Sequence, residues 1–416
     1  MAEMIELKEQ EERVILVAVS TGEEDDTAAS VDELEELAST AGAVTVGKVI
    51  QNRENVHPGT YLGKGKIEEL KELLWELDAT GIICDDELSP AQLKNLEDAL
   101  DTKVMDRTMV ILDIFASRAR TREGKIQVEL AQLRYRAVRL VGLRNSLSRL
   151  GGGIGTRGPG EKKLEVDRRL IHERISQLKS ELEDVKRHRE VVRKKREKGG
   201  ALTAAIVGYT NAGKSTLLNR LTQAGILAED KLFATLDPTT RVLTLPGGET
   251  VLLTDTVGFI RKLPHHLIEA FKSTLEEAKY SDVILHVVDC SNPQMDMQMY
   301  VVYETLRQLE ITDKEIVTVF NKIDREGADP AGRDTVADHR VKISAKTGEG
   351  IPDLLGVLET ILRSRRIYFE KVFPYAEAGR IQRIRKNGRL LSEEYKEDGI
   401  HVTAYVPAEL FEELYR

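Results

Sequence analysis

Leu202-Thr-Ala-Ala-Ile-Val-Gly-Tyr-Thr-Asn-Ala-Gly-Lys-Ser215, followed by the helix-like Thr216 to Leu221, joins an apolar run, a glycine-bounded octet and a helix start. The octet Gly208 to Ser215 fits the phosphate-loop template, and its place between a strand and a helix is the context that gives the match weight. Anion capture at a helix N-terminus is the physical reason. Backbone amides from Asn211 to Thr216 surround a β-phosphate, Lys214 reaches the β- and γ-phosphates, and the Ser215 hydroxyl ligates Mg²⁺. Gly208, Tyr209, Thr210, Asn211, Ala212, Gly213, Lys214, Ser215 and Thr216 are therefore candidate nucleotide-binding residues.

Four further strings follow in order. Phe233-Ala234-Thr235-Leu236-Asp237 opens a threonine-rich segment in which one hydroxyl is expected to complete the metal shell, Thr235 ahead of Thr239 and Thr240. Asp255-Thr256-Val257-Gly258 follows an apolar run, so the carboxylate can hold Mg²⁺ through water while the Gly258 amide senses a γ-phosphate. Asn321-Lys322-Ile323-Asp324 identifies the base. Asp324 can accept from both N1–H and the 2-amino group of guanine, and adenine leaves that carboxylate without donors. Lys322 is expected along the ring, Asn321 is expected to tie this loop to the phosphate loop, and Ser344-Ala345-Lys346 to offer the Ala345 amide to guanine O6. Lys214, Thr235 and Gly258 are the residues expected to act on the γ-phosphate, yet Phe259 occupies the position where many GTPases carry a water-orienting glutamine. A phenyl ring cannot orient water, so slow unaided GTP hydrolysis to GDP is expected. Asn211 resembles the asparagine of GTPases that use K⁺.

Around this site the apolar runs Leu202 to Val207, Val251 to Leu253, Val283 to Val288, Ile316 to Phe320 and Val341 to Ile343 predict a mostly parallel sheet covered on both faces, a P-loop NTPase G domain over 200–366. Residues 1–117 alternate strand-like runs (Val14 to Val19, Val46 to Ile50, Gly81 to Cys84, Val110 to Phe115) with helical stretches, an N-terminal α/β domain. Ser30 to Glu33 reads there as a capping box, Ser89-Pro90 as a helix start and Trp75 as core. Residues 367–416 form a small C-terminal α/β module without identifiable chemistry.

Between the two larger domains, 118–199 is helical. Ile126, Leu133, Leu140 and Leu147 recur every seven residues, as do Leu164, Ile171, Leu178, Val185 and Val192. Leu130, Ala137, Ile175 and Leu182 supply a second seam, and 151–160 is a glycine-rich turn. A long antiparallel helical hairpin is predicted. From Arg118 to Gly200 there are 24 Lys and Arg against 11 Asp and Glu, so this segment carries +13 in a chain whose net charge is −9. Such asymmetry suggests an anionic partner. Arg134, Arg136, Arg139, Arg144, Arg149 and Arg157 are the candidate RNA contacts.

Composition excludes other classes. No run approaches the 18 apolar residues of a membrane span, Met1 to Arg13 is acidic and unlike a signal peptide, and Cys84 and Cys290 are too few for a disulfide framework or a Cys-rich zinc site. A cytoplasmic protein, acting as a monomer, is expected.

The phosphate loop, Phe233-Ala-Thr-Leu-Asp-Pro238, Asp255-Thr-Val-Gly-Phe259, Val288-Asp-Cys-Ser-Asn-Pro293 and above all Gly152-Gly-Ile-Gly-Thr-Arg-Gly-Pro-Gly-Glu161 resemble the HflX family of translation-related GTPases. That resemblance spans nearly the whole chain. It implies binding to the large ribosomal subunit, with the arm's loop near ribosomal RNA of the peptidyl-transferase region, and splitting of stalled or inactivated ribosomes. It also implies that Thr235 is the switch threonine and Phe259 the family's usual substitution. A GTP-controlled protein scaffold and a GTPase assisting tRNA modification are the alternatives.

Overall fold

The computed structural model describes residues 11–22, 26–150, 159–197, 202–222, 232–264, 277–328 and 332–415. It resolves into two compact units, Met1–Asp184 with Glu229–Asp237 and Ile260–Ser273, and Val185–Ala228 with Pro238–Phe259 and Thr274–Arg416.

In the first unit, β1 (Arg13–Ser20), β2 (Val44–Asn52), β3 (Gly81–Cys84) and β4 (Lys103–Asp106) form a parallel sheet in the order β2-β1-β3-β4. Helices α1 (Thr27–Thr40), α2 (Lys64–Glu76), α3 (Pro90–Leu100) and α4 (Arg107–Arg118) alternate with the strands. Ile15, Val17, Ile82 and Cys84 face Leu70 and Leu96 in its core. Ser89 caps α3 ahead of Pro90, as the sequence predicts, and does so in a reciprocal box with Gln92.

Three local expectations fail here. Val110 to Phe115 is helix, not strand. The strand is the four residues before it, and Asp106 ends that strand and caps α4 by accepting from the Met109 amide. An apolar run buried all round has no period with which to declare itself. Ser30 caps nothing; α1 begins at Thr27, and the Ser30 hydroxyl donates to Asp85 at 2.7 Å. Trp75 is 85% exposed, because Ile67, Leu70 and Leu74 already define the buried face of α2.

Helices α5 (Arg122–Leu150) and α6 (Pro159–Glu197) build the arm. At 39 residues α6 is about 58 Å long. Ile126, Leu130, Ala137, Ile175, Leu178 and Leu182 bury one another, with Leu133 and Ile171 at the margin, which is the two-seam heptad the sequence predicts. Arg174 reaches across to both oxygens of Glu129 at 2.8 and 3.0 Å. Residues 151–158 of the glycine-rich turn, Arg157 among them, and the side chains of Arg144 and Arg149 lie outside the described residues, while Pro159 and Gly160, expected in the turn, open α6.

The second unit contains a six-stranded sheet, β10-β9-β8-β5-β7-β6, of β5 (Leu202–Gly208), β6 (Thr239–Thr244), β7 (Thr250–Asp255), β8 (Val283–Asp289), β9 (Glu315–Asn321) and β10 (His339–Lys342). Only β6 runs antiparallel. It includes Thr239 and Thr240 of the threonine-rich segment, a strand the sequence does not announce. Helices α7 (Lys214–Thr222), α8 (Met295–Gln308) and α9 (Ile351–Ser364) accompany the sheet. At the C-terminus, β11 (Arg366–Phe373), β12 (Arg389–Lys396) and β13 (Gly399–Pro407) pair antiparallel in the order β11-β13-β12. Helices α10 (Ala378–Asn387) and α11 (Ala408–Tyr415) cover one face around Phe369, Phe373, Ile384 and Val406. Among the described residues no helix is long and apolar enough to cross a membrane.

Candidate nucleotide site

Every motif of the second unit falls at the carboxyl ends of its strands, the edge where open α/β sheets bind ligands. Gly208 ends β5, Asp255 ends β7, Asp289 ends β8 and Asn321 ends β9, while Ser344 follows β10. Parallel register places them on one rim.

The phosphate loop is wound tightly enough to need its glycines. Gly213 has φ +96°, and a Cβ there meets the Asn321 amide. Lys214 turns back over the loop and donates to the carbonyls of Gly208 (3.1 Å) and Tyr209 (2.8 Å). Burial holds its amine down to about 8, against the opposing pull of Asp255. The Ser215 hydroxyl donates to Asp255 at 2.8 Å, and Asp255 is buried. A hydroxyl and a carboxylate at the mouth of an anion-binding loop are the hard oxygen donors that suit Mg²⁺.

The DxxG segment is stitched to the same loop. Thr256 donates its hydroxyl to the Ile206 carbonyl at 2.7 Å, Thr210 N–H donates to the Phe259 carbonyl at 2.7 Å, and Phe259 N–H donates to Gly208 at 3.1 Å. A Cβ on Gly258 would lie 2.8 Å from the Thr210 Cα and 3.0 Å from Lys214 Nζ, so only glycine fits this approach. Phe259 is 2% exposed.

At the base-reading loop, the Asn321 amide donates to the Ala212 carbonyl at 2.9 Å and so ties the two loops as predicted. Its oxygen accepts from the Ala345 amide at 2.9 Å, so the amide expected at guanine O6 is engaged within the protein here. The reason is local: buried between two strand ends, Asn321 needs partners for both ends of its side chain. Asp324 is exposed, its carboxyl held below the usual carboxylate range first by the Ser344 hydroxyl. Lys322 Nζ sits 2.8 Å from the Asn211 carbonyl and 2.7 Å from Asp289, a partner not foreseen from the sequence although Val288 to Pro293 stands out there.

The threonine-rich segment is divided between the two units. Residues up to Asp237 belong to the first unit. Phe233 is buried with its ring 4.7 Å from that of Phe115, edge to face. Asp237 accepts the Arg120 and Thr121 amides at 2.9 Å and the Thr121 hydroxyl, at the start of α5. Arg261 and Lys262, just past the DxxG motif, share that unit. Arg261 pairs with Asp26 at 3.1 Å, and Lys262 with Asp85 at 2.5 Å and Asp86 at 2.7 Å. Burial pushes the Asp85 carboxyl up, but Arg107 and Lys262 outweigh it and leave it below its usual value.

Of the candidate RNA contacts, Arg136 is exposed. Arg139 is not available as predicted: it lies over the Tyr135 ring and bonds Asp106 at 2.6 Å, neutralising a buried carboxylate.

A strand-end rim that brings a phosphate loop, a DxxG pair and an NKxD loop within hydrogen-bonding reach defines a class, the GTP-hydrolysing P-loop proteins. Residues 203–322 match the family described as 50S ribosome-binding GTPase, 28–116 the GTP-binding GTPase N-terminal family and 118–196 the GTP-binding GTPase Middle Region. A "GTPase HflX" of Lacrimispora saccharolytica is 78% identical over 414 residues, spanning 100% of this chain and 98% of its own length. One from Caldanaerobacter subterraneus is 50% identical over 411 residues, spanning 99% and 95%. A solved structure of a GTP-binding protein from Sulfolobus solfataricus in complex with GDP is 23% identical, covering 84% of this chain and 98% of that one with a TM-score of 0.45. The chain belongs to the HflX family of GTPases.

Proposed function

We propose that this GTPase docks on the large ribosomal subunit in its GTP state, splits or rescues stalled or inactive ribosomes, and leaves after hydrolysis. The observation that carries the proposal is the helical arm, α5 and α6, whose segment bears +13 in an acidic chain. A polyanion is its natural partner, and ribosomal RNA near the peptidyl-transferase region is the one we favour. The family description of residues 203–322 names the same subunit. Membership of a ribosome-directed family also favours a cytoplasmic monomer.

Within the site, the amides from Asn211 to Thr216 hold the β-phosphate and Lys214 reaches the β- and γ-phosphates. Ser215, Thr235 and, through water, Asp255 hold Mg²⁺, which supplies charge neutralisation when bound. Gly258 reads the third phosphate, and Asp324 reads guanine. Phe259 supplies no hydrogen bond to water, so turnover is slow until a partner brings the missing polar group. Asn211 is the residue through which K⁺ could assist.

The test is GTP turnover with and without large subunits, together with co-sedimentation in a non-hydrolysable GTP analogue and in GDP. Stimulated turnover and analogue-dependent co-sedimentation are expected. Turnover indifferent to ribosomes would sink the proposal and favour a GTP-controlled protein scaffold.

A further inference from the structure

Lys322 is an unusual residue to find in its conformation. Its φ of +66° lies in the left-handed region that non-glycine residues rarely adopt, and its side chain carries several rotatable bonds. A lysine stem that must lie along a ligand's ring is useful only if its far end is already fixed. Otherwise each binding event must order it.

The far end is fixed at two points. The ammonium donates to the Asn211 carbonyl of the phosphate loop at 2.8 Å and meets the Asp289 carboxylate at 2.7 Å, the two side chains being only 14% and 11% exposed. Asp289 is in turn held by its own turn. Its Oδ1 accepts the Ser291 amide at 3.0 Å and the Ser291 hydroxyl at 2.6 Å, leaving Oδ2 for Lys322. One oxygen keeps the β8 turn and the other holds the lysine.

We infer that Asp289, at the carboxyl end of β8, is a positioning residue for guanine-nucleotide binding, acting by pre-ordering Lys322 between the base-reading loop and the phosphate loop. This rests on Asn321 to Asp324 being the guanine reader. The contact involves neither the DxxG segment nor any γ-phosphate ligand. Its loss therefore weakens GDP and GTP binding equally and leaves the chemical step alone.

Asp289→Asn in the full-length protein separates the two functions of the side chain. Asparagine keeps an acceptor for Ser291 while presenting a neutral group to the ammonium. Titration of a fluorescent GDP analogue and of a non-hydrolysable GTP analogue is expected to show both dissociation constants rising by the same factor, roughly tenfold, the usual scale for losing a charge-assisted bond. KM for GTP should follow, with turnover at saturation held within about twofold. Asp289→Glu, which retains the charge, should recover part of the affinity. Lys322→Ala should weaken binding similarly, and adding Asp289→Asn to it should cost nothing more.

Unchanged GDP affinity in Asp289→Asn, or a full additional loss in the double variant, overturns the inference. If Lys322→Ala itself leaves GDP affinity unchanged, the base-reader assignment falls and this inference with it. If Lys322→Ala weakens binding and Asp289→Asn does not, only the role of Asp289 falls.

Discussion

Asp324 presents an exposed carboxylate to solvent, with the Ser344 hydroxyl bonded to it and its pKa lowered accordingly. Exchanging Asp324→Asn should move nucleotide preference from guanine toward xanthine, because the amide offers a donor where guanine also offers donors. Competition of XDP against GDP measures this, and undiminished guanine preference would refute the assignment. His286, on β8, makes a second and independent prediction. Burial holds its imidazole down to about 4, against Asp334 and with Lys214 adding to the effect, and Tyr303 packs edge-on at 4.9 Å. A histidine whose folded value lies below its unfolded value of about 6.5 stabilises the fold above that value and loses this contribution as pH falls. Between pH 7 and pH 5, wild type should lose about 2 kcal/mol relative to His286→Phe in denaturant unfolding. Parallel pH curves for the two proteins would contradict it. At this scale the sequence reads well where a role lives in consecutive residues, as in Asn321 to Asp324. It reads poorly where the role depends on a neighbour brought in by folding. Asp289 beside Lys322, Ala345 on Asn321 and Arg139 on Asp106 are all of that second kind.

Elements were legible in proportion to the periodicity of their burial. The strands of the second unit's sheet stand out as continuous apolar runs because five of the six are parallel and covered on both faces, and the arm stands out because its seam repeats every seven residues over several turns. Val110 to Phe115 misleads because α4 is buried on nearly every side. Strand β6 is missed because an edge strand with burial only at Leu243 alternates too weakly, and β12 is missed for the same reason. The heptad has an energetic consequence. Leu178 is fully buried in the seam, so Leu178→Ala should cost about 2 to 5 kcal/mol, read as a lower-temperature helical transition by circular dichroism, while GDP affinity stays near wild type. An unshifted helical transition would mean that the two helices do not stabilise each other.

For the whole molecule, charge rather than shape sets the distinctive expectation. With +13 on the segment of the arm and −22 on the rest, a partner that engages phosphates must displace counterions, and its affinity must fall steeply with salt. Raising salt from about 50 to about 200 mM should weaken co-sedimentation with large subunits by on the order of tenfold or more. A contact made by an apolar seam would hardly respond.

Trp75 has a consequence of a different sort. It is the chain's single tryptophan, and it stands on the polar side of α2 almost wholly in water. Indole emission from the entire protein is therefore emission from one known position. Unlabelled protein carries a native optical reporter, red-shifted and open to quencher when alone, turning blue and shielded when a partner covers that helix. Docking through the N-terminal sheet can thus be told from docking elsewhere in a cuvette, with no residue changed.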